Sequence, residues 1–142
     1  MKVREIVSRR VRQISSSAML SEAADRMRTL DSGALPVVED NRIVGLVTDR
    51  DIAVKAAAAG LNLRITPVRD VMTTEVACCS EDDDVEKAAR IMEDNQVCRL
   101  VVLGPDRKAV GILSVADLAL KSGGEHSPYR ELETICERTR DL

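Results

Sequence analysis

Between residues 20 and 30 the apolar side chains Leu20, Ala23, Ala24, Met27 and Leu30 recur at the spacing of one face of an α-helix. Val85, Ala88, Ala89 and Met92 repeat that stripe later in the chain. Asp83 followed by Glu86 predicts a cap for this second helix, and the acidic run Glu81-Asp82-Asp83-Asp84 suits the positive end of a helix dipole. Behind each stripe stand two short apolar runs, at 35–38 and 43–48 and again at 100–103 and 109–114. They are broken by Glu39-Asp40-Asn41 and by Gly104-Pro105-Asp106, a pattern that predicts strand pairs with polar turns. A second helix is expected after each pair, over 49–59 closed by Gly60 and over 115–121 closed by Gly123-Gly124. The predicted order is β-α-β-β-α, twice, in a mixed α/β (α+β) fold.

The halves are duplicates. At one constant spacing VREIV from Val3 matches VRDVM from Val68, Val11 matches Val76, Ser15 matches Ser80, and Met27 matches Met92. One extra residue near Arg107 shifts the register, after which Gly45 matches Gly111, Asp51 matches Asp117, and Lys55 matches Lys121. A long unit occurring twice predicts two supersecondary modules that bury their faces against each other, each incomplete alone. The boundaries expected are repeat 1 over 1–60, a linker over 61–67, repeat 2 over 68–123, and a tail over 124–142 that reads as an appended helix for packing or dimer contact, with fraying as the alternative.

Composition narrows the class. With 142 residues, 44% apolar, no Phe or Trp and a single Tyr, the core must be assembled from aliphatic side chains and Met. A net charge of -3 argues against a polyanion-binding surface, so nucleic acid is not expected as a partner. The charged N-terminus lacks an apolar leader region and no long apolar run follows, which predicts a soluble, cytoplasmic protein without membrane contact. The four cysteines, Cys78, Cys79, Cys98 and Cys136, show no C-x-x-C spacing and are expected to be reduced thiols. No metal is expected, His126 and Cys136 being the one pair to check.

The chemistry concentrates after the last strand of each copy. Gly45-Leu46-Val47-Thr48-Asp49-Arg50-Asp51 and Gly111-Ile112-Leu113-Ser114-Val115-Ala116-Asp117 share the skeleton Gly, two apolar residues, a hydroxyl residue, two variable positions and Asp. Thr48 with Asp51, and Ser114 with Asp117, suffice as capping boxes. A helix entrance with a hydroxyl, free N–H groups and a carboxylate three residues on also suits a nucleotide, the hydroxyl near phosphate and the carboxylate bridging ribose hydroxyls. Recurrence at matching points keeps both readings open.

These segments, with VREIV/VRDVM, SEAADRM/EKAARIM and GALPVV, resemble the paired cystathionine β-synthase (CBS) domains, or Bateman module, over Val3 to Lys121. The resemblance implies two tandem CBS repeats, packed sheet to sheet around a pseudo-twofold axis, with two clefts for AMP, ADP, ATP, NAD or S-adenosylmethionine derivatives. It makes Asp51 and Asp117 the ribose carboxylates, Thr48 and Ser114 the phosphate-side hydroxyls, and Leu46 and Ile112 the adenine lining. It further assigns Thr73, Ala77, Val97 and Cys98 to the Asp51 site, and Ser8, Arg12, Ser32, Gly33 and Ala34 to the Asp117 site. Arg50, beside Asp51, can neutralise phosphate where Ala116 cannot, so the Asp51 site is expected to be the tighter. Arg99 and Lys55 are further cations there, or simply solvated surface charge. Cys98 and Arg99 replace Gly33 and Ala34, and Leu100-Val101-Val102 replaces Leu35-Pro36-Val37, so the copies are unequal.

No cofactor is required on this reading; an adenine nucleotide is a regulatory ligand, and the module is expected to form a homodimer that signals through its own conformation or through a protein target. Against catalysis stands the lack of a G-x-S-x-G elbow, an H-E-x-x-H helix, a Walker loop or G-x-G-x-x-G. The competing reading is a ligand-free dimeric scaffold in which each motif is only a cap.

Overall fold

A computed structural model describes residues 1–7, 9 and 12–121. The two helical stripes become α1 (Leu20–Leu30) and α3 (Val85–Asn95), burying Leu20, Ala23 and Met27 in one case and Val85, Ala88, Ala89 and Met92 in the other. Each ends on a non-glycine residue in left-handed conformation, Asp31 or Gln96. The next amide, of Ser32 or Val97, then reaches back to Met27 O or Met92 O at 3.0 Å, which satisfies a carbonyl the helix leaves open.

Among the described residues six strands form two three-stranded sheets of the same topology. In the first, β2 (Ala34–Glu39) lies between parallel β1 (Ile14–Ser15) and antiparallel β3 (Arg42–Thr48). In the second, β5 (Arg99–Leu103) lies between parallel β4 (Cys78–Ser80) and antiparallel β6 (Ala109–Ser114). The register slips at matching points, Val37/Val38 and Val102/Leu103. β1 is one residue shorter than β4, and Pro36 explains it. Val101 donates its amide to Ala77 O at 3.1 Å, a bond that Pro36, at the matching position, has no N–H to make. The carbonyl of Gln13 accepts from the Arg26 guanidinium at 2.5 Å.

Two features differ from expectation. The helix predicted over 49–59 begins as an α-turn, α2 (Asp49–Asp51), and continues with π winding over Ile52–Ala57. The wider turns bury Ile52 and Ala56 while Val54 faces out. Nor does Asp83 cap α3: its Oδ2 accepts the Ser80 amide at 2.9 Å and its Oδ1 pairs with Lys87 at 2.8 Å. Burial opposes ionisation of Asp83, but the Lys87 hydrogen bond and the Ser80 amide outweigh it and hold the carboxyl below its ordinary range. The second helix of the other half, α4 (Val115–Lys121), has the predicted bounds.

The chain divides into two compact units, one of Met1–Arg10 with the chain from Ala77 on, the other of Val11–Val76. Each unit therefore contains one repeat's sheet and helices together with the opening segment of the other repeat. These segments carry 3-10 turns, Val3–Glu5 and Val68–Asp70. They are held by matching backbone bonds: Val3 N–H to Asp83 O and Val68 N–H to Ala18 O, at 2.9 and 2.7 Å. Arg4 and Arg69 donate to Glu81 O and Ser16 O at 3.0 Å. In return Val85 and Leu20, the first residues of α3 and α1, donate to Met1 O at 3.0 Å and Thr66 O at 2.9 Å. Those carbonyls do the work of a side-chain cap, which neither helix has. Each unit has its own core, around Val3, Leu100, Leu113 and Leu118 in one and around Leu20, Leu35, Val47 and Val68 in the other. Among the described residues no helix is long and apolar enough to cross a membrane.

The incoming segment also dictates Gly45. Leu46 and Thr73 exchange both backbone bonds at 2.9 Å, and a Cβ on Gly45 would stand 2.9 Å from Thr73 O and 2.7 Å from Met72 Sδ. Gly45→Ala is accordingly expected to cost about 1–3 kcal/mol, because the obstructing carbonyl is backbone and cannot swing aside. Urea denaturation checks this; wild-type stability would show that the segment docks loosely.

Candidate functional site

In the Val11–Val76 unit, β3 runs into α2 at Thr48, whose backbone is extended (φ -118°, ψ 161°) while that of the next residues is helical. Thr48 Oγ1 accepts the Asp51 amide at 3.1 Å, and Asp51 Oδ2 accepts the Thr48 amide at 3.0 Å. The capping box is complete. Asp51 is nevertheless one of the buried polar residues, 7% exposed, and its second oxygen points away from the cap. Oδ1 accepts from Thr73 Oγ1 at 3.4 Å and pairs with Lys55 Nζ at 3.0 Å. Leu46, Thr48, Arg50, Asp51 and Thr73 are thus gathered at one helix entrance.

The other unit repeats the construction where β6 runs into α4. Ser114 Oγ accepts the Asp117 amide at 3.1 Å, Asp117 Oδ2 accepts the Ser114 amide at 2.9 Å, and Oδ1 pairs with Lys121 at 3.0 Å. Here Oδ2 also accepts the Ser114 hydroxyl at 2.9 Å. That committed proton is the main chemical difference between the copies: among the described residues, Thr48 spends its oxygen on the cap but not its proton. Asp117 is also less enclosed, its side chain 19% exposed against 9% for Asp51.

Of the other expected lining residues, Gly33 and Ala34, expected at the Asp117 site, stand at the helix entrance of the Val11–Val76 unit, and Cys98, expected at the Asp51 site, stands at that of the other unit. Gly33 O accepts the Asp49 amide at 3.0 Å and Ala34 pairs with Thr48, while Ser32 Oγ donates to Ala34 O at 3.0 Å. Correspondingly, Cys98 O accepts the Val115 amide at 3.0 Å and Arg99 pairs with Ser114. Val97 follows the end of α3, Ala77 O serves β5, and Ile112 pairs with Val101. Arg12 borders an open groove of about 530 Å³ beside α1, with Arg26 and Thr29. Ser8 lies outside the described residues, as do the tail, His126 and Cys136. Lys121 and Gly45 escaped the sequence reading as site residues, although Asp followed four positions later by Lys in both copies was a usable signal.

Among the described residues no cluster of three or more His, Cys, Asp or Glu is placed to hold a metal ion. Cys78 and Cys79 are thiols. Burial pushes Cys79 up to about 12, with Asp83 and Cys78 adding to it, and also raises Cys78 against the pull of Arg107. Cys98 is disulfide-bonded, which corrects the expectation that the cysteines are reduced thiols.

Residues 3–57 and 68–123 each match the CBS domain, and the chain belongs to that family as a tandem pair. It is 33% identical over 133 residues to the CBS domain-containing protein YhcV of Bacillus subtilis, covering 94% of each chain. The fold matches the CBS domain protein PAE2072 of Pyrobaculum aerophilum, solved in complex with AMP, with a TM-score of 0.79 at 24% identity over 94% of this chain and 99% of that one. It also matches the CBS domain pair of protein MJ0100, solved with 5′-methylthioadenosine and S-adenosyl-L-methionine, with a TM-score of 0.73 at 28% identity over 82% and 95% of the two chains.

Removing the Thr48 hydroxyl tests the structural share of this site. Thr48→Val is expected to lower stability by about 1 kcal/mol, the ordinary value of an N-cap, without loss of the fold. Chemical denaturation reads it, and a change within error would mean that the box contributes nothing to folding.

Proposed function

We propose that this chain is a regulatory module that binds an adenine nucleotide or related adenosyl compound at Asp51 and Asp117, and passes the occupied state on through a homodimer or a protein target. The observation that carries this reading is the buried Asp51 carboxylate at a helix entrance, one oxygen committed to the cap and the other turned to Thr73 and to Lys55 one turn along the helix. An ionised carboxylate in that position accepts from the two hydroxyls of a ribose, the helix N-terminus beside it favours phosphate, and a base can lie along Leu46. The adenosyl ligands of MJ0100 have the same chemical handle. Of the two copies, the first is better equipped. Thr48 has a proton to donate, and Arg50 stands where the second copy has Ala116.

Self-association is supported by a matched pair of apolar residues on the second helix of each repeat: Val54 is 54% exposed and Leu120 61%. Exposed apolar side chains at equivalent positions of the two repeats are the surface a second copy would cover. Sedimentation equilibrium should find a dimer, with Val54→Glu and Leu120→Glu shifting it to monomer; a monomeric wild type removes the dimer from the proposal.

Calorimetric titration with AMP, ATP, NAD and S-adenosylmethionine tests the ligand. Asp51→Ala should weaken the tightest of them by about tenfold or more, since it removes charge-assisted hydrogen bonds to ribose, and by more than Asp117→Ala does. Equal losses would refute the ranking of the two sites. If folded protein binds none of the four at millimolar concentration, the scaffold reading replaces this one.

A further inference from the structure

One helical turn beyond each candidate carboxylate stands a lysine whose ammonium does two things at once. Lys55 Nζ is 3.0 Å from Asp51 Oδ1 and donates to the backbone carbonyl of Val71 at 3.2 Å. Lys121 Nζ is 3.0 Å from Asp117 Oδ1 and donates to the carbonyl of Ile6 at 3.1 Å. Lys55 and Lys121 are equivalent in the duplication, and so are Val71 and Ile6. Both carbonyls belong to the residue that closes the 3-10 turn of an opening segment, where a backbone oxygen is left without an intrahelical donor. The same three-point bridge, from carboxylate through ammonium to the end of the incoming turn, has therefore been built twice. Shortly after each of these carbonyls the chain leaves one compact unit for the other, at Arg10–Val11 and at Val76–Ala77.

A carboxylate offers about four acceptor positions. In Asp117 the Ser114 amide and hydroxyl occupy Oδ2 and Lys121 occupies part of Oδ1. In Asp51 the Thr48 amide occupies part of Oδ2, while Lys55 and the longer Thr73 bond share Oδ1. A ribose cis-diol brings two donors to a carboxylate that has about one position open, so a present partner must give way. The backbone amides cannot leave without uncapping the helix. The lysines can: their side chains are 48% and 46% exposed and water takes the ammonium readily.

We infer that Lys55 and Lys121 are positioning residues that act as latches, holding the turn of the opposite repeat against an empty carboxylate and letting it go when a cis-diol takes Oδ1. The inference rests on the nucleoside reading of the site and adds to it a route by which occupancy reaches the segments that join the two units. It also makes each lysine a competitor of the sugar.

Lys55→Met and Lys121→Met keep the apolar stem and remove the ammonium. The first readout needs no ligand. In nucleotide-free protein, amide hydrogen exchange across residues 68–73 should quicken about threefold or more in Lys55→Met with 3–7 unchanged, and the reverse should hold in Lys121→Met. Unchanged exchange in both variants overturns the latch whether or not the protein binds nucleosides. The second readout is affinity for adenosine, which has the diol but no phosphate, against adenine, which has neither. Loss of the competitor should tighten adenosine by about threefold or more at the site concerned and leave adenine unaltered. Faster exchange with adenosine affinity unchanged or weakened would make the lysines struts and refute the displacement. Faster exchange in the variants, with no adenosine binding by the wild type, would instead refute the nucleoside reading, and displacement with it, while confirming that the lysines hold the turns.

Discussion

The arrangement depends on two backbone hydrogen bonds between segments remote in sequence, Val3 N–H to Asp83 O and Val68 N–H to Ala18 O. They seat the opening segment of each repeat on the sheet and helices of the other and leave Val3 and Val68 fully buried, each worth about 1.5–3 kcal/mol of hydrophobic stabilisation as an upper bound. The first amides of α1 and α3 find acceptors only because Thr66 and Met1 arrive with those segments. Thr73 and the Val71 carbonyl come within reach of Asp51 and Lys55 for the same reason. A repeat deprived of its partner's opening segment would lose a core valine, a helix start and part of its candidate site together.

The cap and the proposed binding draw on the same few atoms at the helix entrances. A carboxylate serving only as a cap could stand in water at little cost; Asp51 is buried, a position that must be offset by hydrogen bonds and a counter-ion. The amide of Thr48 and the ammonium of Lys55 supply that compensation and hold the oxygen atoms in a defined place. On the proposed reading, preorganisation of this kind favours a ligand that replaces the lysine without disturbing the cap. The second copy has drifted from it through small changes, a serine that gives its proton to its own aspartate and an alanine in place of Arg50, which leave the fold intact and alter the chemistry on offer.

Pairing at the level of single atoms also accounts for the irregularities of the sheets. Pro36, standing where the other copy has Val101, removes one amide and leaves β1 a residue shorter than β4. The same substitution can be read in the chain, but its outcome depends on which neighbour needed the missing donor, and that neighbour lies in another segment.

Helical stripes, strand pairs, the duplication and the hydroxyl-to-aspartate caps were all legible from residue order, because each is a short-range pattern written in side-chain type: apolar spacing selects helix or strand, and a hydroxyl three positions before an acid suits a cap where a strand runs into a helix. The exchange of opening segments was not, nor the π winding after Asp51, nor the diversion of Asp83 to Ser80 and Lys87, nor the bridge from Lys121 to Ile6. These rest on backbone amides and carbonyls, which every residue except proline carries alike, and on approaches between parts of the chain far apart in order. Side-chain identity could name the groups available at each helix entrance; only the folded packing decided which of them would meet.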